Sequence, residues 1–232
     1  MYAPTTKQTV TIYPESDGKP MAETDVHRNL LADLIFTLDN YFQAQLDVYV
    51  SGNLLIYYVE GNPAKCFAPD VFVVRGVPKR QRRTYKLWEE GVAPQIIIEL
   101  TSRKTWREDL QTKWRLYEEL GVQEYFIFDP EYDYLDDPLV GYRLENGKYV
   151  DLEIKDRRVK SEVLELELVD TGETLRLLDP VNQHVLPNFQ EASAAQQQLE
   201  AALQAEENAQ RRAAELEATL ARYRQQFGEL PK

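Results

Sequence analysis

Residues 96–130 constrain the fold more than any other part of the chain. "IIIEL" is an apolar run of strand length, and "EYFIFDP" is a second one. Between them, Leu110, Trp114, Leu116, Tyr117 and Leu120 recur at helical spacing, and Gly121 stands where a C-cap glycine belongs. Strand, helix, strand reads as a crossover, which sets its two strands parallel in a buried sheet. One residue disturbs the pattern. Glu99 puts a carboxylate inside a core strand, at a cost in free energy unless something offsets its desolvation. Side chains alternate along a strand, so Ile97 and Glu99 share one face while Ile96, Ile98 and Leu100 share the other and pack on a helix.

The flanking segments complete an α/β pattern. "ETDVHRNLLADLIFTLDNYF" (23–42) predicts a helix capped by Thr24 or Asp25, with Leu30, Leu31, Leu34, Ile35 and Leu38 on its apolar face. "LDVYVSG" and "LLIYYVE" read as a hairpin turning at Gly52-Asn53, and "APDVFVVRG" as a third strand. A basic loop and a short helix at "YKLWEEG" precede "PQIIIEL". After Pro130, short strands at "VGYRL", "KYVDLEI", "LELEL" and "ETLRLLD" read as hairpins extending the same domain. The expected organisation is a flexible arm over 1–20, an α/β domain over 21–187 and a helical tail over 188–232.

From Glu191 to Phe227 the tail has neither Gly nor Pro. Ala195, Leu199, Ala202, Glu206, Ala209, Ala213, Leu216, Leu220, Tyr223 and Phe227 follow a 4,3 spacing, the seam of a coiled coil interrupted at Glu206. This predicts a homo-oligomer, a dimer through 191–227; the alanines leave a single packed or solvated helix as the alternative.

Composition removes several classes of function. Cys66 is the only cysteine, which argues against an internal disulfide and a cysteine-based zinc cluster. His27 and His184 are a poor basis for a serine triad, and "EGNPAK" is too short for a phosphate loop. No segment has the length and apolarity of a membrane span or a secretory signal, so a cytoplasmic protein is expected. A formal charge of −12 opposes tight non-specific binding to nucleic acid. One local exception is "PKRQRRTYK" (78–86), where Lys79, Arg80, Arg82, Arg83 and Lys86 occur without an acid; it reads as a solvated loop or a nucleic-acid-binding one.

Asp70 directly precedes "VFVV", as Glu99 ends "III". If the two strands are neighbours, their acidic ends meet at one end of the sheet. Two carboxylates at close range repel, whereas a divalent cation takes both as oxygen ligands; magnesium suits such a set completed by water. Taken singly, Asp70 caps a turn after Pro69 and Glu99 pairs with a nearby cation. Asp109 and Lys113 lie one helical turn apart on one face, as a site pair or a surface salt bridge.

"PDVFVV" followed by "IIIELTSRKTWREDLQTKWRLYEELGVQEYFIFDP" resembles the PD-(D/E)XK nuclease superfamily and, more closely, the Uma-two type family of restriction endonucleases. The resemblance runs from about residue 20 to 187. It implies a restriction-endonuclease-like mixed β-sheet flanked by helices, with Asp70 and Glu99 as ligands of Mg2+ or Mn2+ and the Leu100 carbonyl as a third. The superfamily's signature lysine, two residues after the acid, is Thr101 here, and Lys113 resembles its relocated replacement; Lys104 is a second candidate. Asp109 and Tyr117 match the family's helix, and Glu23 or Asp25 is the candidate for an acid contributed by the first helix. His27 reads as structural or surface. The implied function is metal-dependent endonuclease cleavage of nucleic acid, DNA first. The alternative is a nuclease fold without catalysis, acting as a binding or assembly module through its tail, which the charge of −12 and the missing lysine favour.

Overall fold

Central to the structure is a mixed sheet built around the crossover. The computed structural model describes residues 11–16, 18 and 24–228, in two units, 1–186 and 187–232. The first unit opens with α1 (Asp25–Tyr41), β1 (Val48–Ser51), β2 (Ile56–Tyr57), β3 (Cys66–Phe67), β4 (Val71–Arg75), β5 (Tyr85–Lys86) and α2 (Leu87–Glu90). It continues with β6 (Ile96–Leu100), α3 (Trp106–Glu108), a π-helical turn (Asp109–Lys113), α4 (Trp114–Leu120) and β7 (Glu124–Phe128). Then come β8 (Leu139–Glu145), β9 (Lys148–Asp151), β10 (Arg158–Ser161), β11 (Leu166–Asp170), β12 (Leu175–Asp179) and β13 (His184–Val185).

The six-stranded sheet has the order β1-β4-β6-β7-β8-β9. The crossover strands β6 and β7 are parallel, and every other neighbour in this sheet is antiparallel. One face buries Ile96, Ile98 and Leu100 with Val71, Val73 and the α1 leucines Leu30, Leu31, Leu34 and Leu38. The other buries Ile97 with Phe72, Tyr117, Tyr125 and Ile127, and Leu110 and Trp114 pack against it. Thr24 is the N-cap of α1, its hydroxyl accepting from the His27 amide at 3.3 Å.

Two expectations are corrected. β1 and β2 do not form a hairpin: β1 pairs with β4, while β2 leaves the sheet to pair with β3 and β5. Gly52 and Asn53 serve a different contact, since Asn53 donates its amide to the Pro69 carbonyl at 2.8 Å and Gly52 lies against Asp70. The late strands divide within the first unit: β8 and β9 extend the central sheet, and β10–β13 make a separate antiparallel sheet. Finally, the described part of the 1–20 arm is docked. The Tyr13 ring lies 5.0 Å from Tyr57 and 5.2 Å from Trp88, and Pro14 accepts from the Tyr57 hydroxyl at 2.6 Å. An aromatic ring with apolar neighbours to cover does not stay in solvent.

The second unit holds α5 (Phe189–Phe227), a single helix of 39 residues opened by a capping box between Asn188 and Glu191. Leu199, Leu216, Leu220, Tyr223 and Phe227 of the 4,3 seam are exposed, with the Tyr223 and Phe227 rings 4.9 Å apart. Among the described residues no helix is long and apolar enough to cross a membrane.

Candidate active site

The antiparallel register of β4 and β6 pairs Val71 with Ile98; one step further sets Asp70 opposite Glu99. Each acid then binds the other's strand. Asp70 accepts from the Leu100 amide at 2.8 Å, and Glu99 lies 3.4 Å from the Asp70 amide as its acceptor. Glycine at 52 permits this arrangement, because a Cβ there would stand 2.0 Å from the Asp70 carbonyl oxygen.

The crossover helix supplies the rest. Lys113 Nζ lies 2.9 Å from Glu99 Oε2 and 2.9 Å from Asp109 Oδ1. The Tyr117 hydroxyl donates to Glu99 Oε1 at 2.6 Å, and Thr101 donates to Asp109 Oδ2 at 2.8 Å. The π-helical turn accounts for the alignment. Four residues of α-helix rotate slightly more than one full turn, and four of a π turn slightly less. The step from Asp109 to Lys113 crosses the π turn and the step from Lys113 to Tyr117 follows the α-helix, so the two drifts oppose each other. All three side chains therefore reach the Glu99 end of β6.

His27 is the residue at this candidate site that the sequence did not reveal. It is buried, its Nε2 donates to the Leu100 carbonyl at 2.8 Å, and the same nitrogen is 3.7 Å from Asp70 Oδ2. The carbonyl expected as a third ligand thus has a histidine on it. A fixed distance along α1 carries no signal for this approach, since His27 is 73 residues from Leu100 in sequence.

Charge at the site is unbalanced. Asp70, Glu99 and Asp109 surround the single ammonium of Lys113, and Glu99 is 1% exposed against 16% for Lys113. Burial, reinforced by the Asp70 and Asp109 charges, pushes Glu99 up to about 8 against the pull of Lys113 and the Tyr117 hydroxyl. Burial also pushes Asp70 up, but the His27 ring, the Lys113 charge and the Leu100 amide outweigh it and hold Asp70 below the usual carboxylate range. Lys113 is held well above the ordinary lysine range: its burial is overcome by Glu99, Asp109 and Asp70. Oxygen donors in excess of positive charge fit a divalent cation; Asp70, Glu99 and the Leu100 carbonyl would hold it.

Other expected residues lie elsewhere. Asp25 pairs with Arg28 at 2.8 Å in the exposed first turn of α1, and Glu23 lies outside the described residues. Lys104 is exposed on the turn after β6 and does not join Glu99. The 79–86 loop is held by acids: Lys79 by Asp39 at 2.8 Å, Arg80 by Glu90 at 2.9 Å, Arg83 by Glu15 at 2.6 Å and Lys86 by Glu89 at 2.9 Å. Arg82 is turned inward, its side chain 1% exposed, bound to both Glu90 oxygens and 4.2 Å from the Tyr49 ring centre. It is a packing residue whose guanidinium does not face solvent.

A mixed sheet with two acids and a helix-borne lysine at the crossover defines a nuclease-like α/β domain. The model of the Uma2 family, described as "Putative restriction endonuclease", matches residues 11–176, and the chain belongs to that family. A solved structure described as a putative nuclease belonging to DUF820, from Anabaena variabilis, is 15% identical. The match covers 63% of this chain and 76% of that one with a TM-score of 0.46. Among curated proteins nothing matches.

Proposed function

We propose that this protein is a metal-dependent endonuclease that hydrolyses phosphodiester bonds of DNA. The observation that carries this reading is the convergence of Asp70, Glu99 and Lys113 at one end of β4 and β6, with three acids against one ammonium. A bound Mg2+ or Mn2+ supplies charge to polarise the phosphodiester and to acidify an attacking water. Asp70, kept ionised by its neighbours, is a ready oxygen donor. Glu99 becomes one on losing its proton, with Tyr117 fixing its carboxylate. Lys113 supplies positive charge for the oxygens of the phosphoryl group, and Asp109 and Thr101 position it. Cleavage of a DNA duplex by the intact protein tests this. Magnesium-dependent cutting that falls at least about a thousandfold in Asp70→Ala and Glu99→Ala is the expected result; equal residual cutting in all three proteins contradicts it.

The α5 seam supports a second element of the reading, a homodimer that sets two such sites on one duplex. Sedimentation of the full chain against Leu216→Glu/Leu220→Glu distinguishes a dimer lost in the variant from a monomer in both.

One observation favours a non-catalytic module instead. Lys113 already contacts Glu99 and Asp109, and Thr101 occupies the position of the superfamily's lysine. A folded protein that binds neither magnesium nor manganese supports that module.

A further inference from the structure

We infer that the turn 102–107 is the surface that grips the DNA backbone beside the scissile phosphate, in place of the more conspicuous basic loop 79–86. This rests on the nuclease reading above and identifies how that site holds its substrate. An acidic chain that acts on a polyanion needs unspent positive charge close to its chemistry, because phosphate contacts supply most of the binding free energy. The loop 79–86 has little to spend: each of its five cations is already held by Asp39, Glu90, Glu15 or Glu89. Each phosphate contact there would first have to break an ion pair.

"SRKTWR" differs in every respect. Arg103, Lys104 and Arg107 are exposed, and none of the three makes an ion pair with a described residue; Glu108, the nearest acid in sequence, holds none of them. The turn begins two residues after Leu100, whose amide binds Asp70, so its cations stand at the end of β6 where the acids converge. Its backbone is fixed before any ligand arrives. Thr105 Oγ1 accepts from the Ser102 amide at 3.1 Å, and the Thr105 and Trp106 amides both donate to the Ser102 carbonyl at 3.1 Å. Just before it, Thr101 is tied to Phe128 at 2.7 Å and to Asp109 at 2.8 Å. A turn already ordered loses little entropy on binding. Half-buried Trp106 carries the Arg107 guanidinium 4.6 Å from its ring centre, holding that planar donor against an aromatic face while leaving it open to phosphate.

The experiment compares two triple variants with the same change in charge, Arg103→Ala/Lys104→Ala/Arg107→Ala in the turn and Arg80→Ala/Arg83→Ala/Lys86→Ala in the loop. Binding of a labelled DNA duplex is followed by fluorescence anisotropy over a salt series, with calcium replacing magnesium. The turn variant is expected to bind about tenfold or more weakly, with a salt slope shallower by about 0.9 per lost contact, and the loop variant to stay within about threefold of wild type. Equal losses in the two variants, an unchanged turn variant, or no binding by the wild type overturns the inference. Its failure is separable from that of the nuclease reading. Asp70-dependent cleavage in a protein indifferent to the turn refutes only the grip, and turn-dependent binding without any cleavage refutes only the catalysis.

Discussion

Glu99 and Glu124 are both buried glutamates, and they sit at opposite ends of the same parallel strand pair: Glu124 faces Ile96 at the start of β6, and Glu99 lies near its finish. Glu124 is fully provided for. Arg143 donates from Nε at 3.2 Å and from Nη2 at 2.9 Å, the Ser161 hydroxyl makes a short hydrogen bond, and the Glu162 and Val163 amides add two more. Those donors come from β8 and from the end of β10, so this carboxylate ties the central sheet to the second one. Glu99 also has a cation, a hydroxyl and an amide, but it shares its cation with Asp109 and faces Asp70. One acid has been given enough positive charge and the other has not. Glu124 is neutralised locally, and Glu99 is left short, as the proposed metal site requires.

The largest effect separates the two acids by stability. Glu124→Ala takes from Arg143 its buried partner, leaving it the exposed Glu162, and removes the acceptor of the Ser161 hydroxyl and two amides; it is expected to cost about 3–5 kcal/mol. Glu99→Gln keeps the shape of the protonated acid and cannot ionise, and it is expected to melt at or above the wild type in metal-free buffer. Differential scanning calorimetry compares them; a Glu99→Gln loss as large as that of Glu124→Ala would erase the distinction.

Gly52→Ala comes next. Its Cβ would meet the Asp70 carbonyl at 2.0 Å and the Ile35 methyl at 2.7 Å, so the backbone must shift. The expected cost is about 1–3 kcal/mol, with metal binding weakened further because Asp70 moves. Wild-type manganese affinity in a folded Gly52→Ala protein would show that Asp70 placement does not matter.

A smaller effect is in the pH dependence. Glu99 has a raised pKa in the folded chain, so its favourable contribution is complete below the ordinary glutamate value and is lost as pH rises towards about 8. The melting temperature of metal-free wild type should therefore fall relative to Glu99→Gln between pH 5 and pH 8, by several degrees. Added manganese should reverse the trend, since the cation competes with the proton and binds more tightly as Glu99 ionises. Parallel pH curves for the two proteins would contradict the assignment of that titration to Glu99.

Much of this contrast could be read from residue order. The alternation in "IIIEL", the periodicity of "LLADLIFTL" and the crossover pattern after Thr105 report directly on burial, and the six-stranded sheet follows them. Asp109 and Lys113 were visible as a pair one helical turn apart, and Tyr117 through the family's helix motif. What stayed hidden depends on contacts distant in sequence. Nothing in "SGNLL" distinguishes a hairpin from a strand that leaves the sheet, because either path satisfies the same propensities. The π turn leaves no mark on an apolar pattern that an α-helix also satisfies. His27 reads as one more polar residue beside a cap, and Arg82 as one more loop cation, until Leu100 and Glu90 are brought against them.

Calorimetric titration of manganese into the metal-free protein, wild type and Glu99→Gln, asks most directly whether Glu99 is left short of charge for a purpose. The account predicts saturable binding by the wild type that disappears in the folded variant. Binding of equal strength in both, or no heat from a folded wild type, would contradict it.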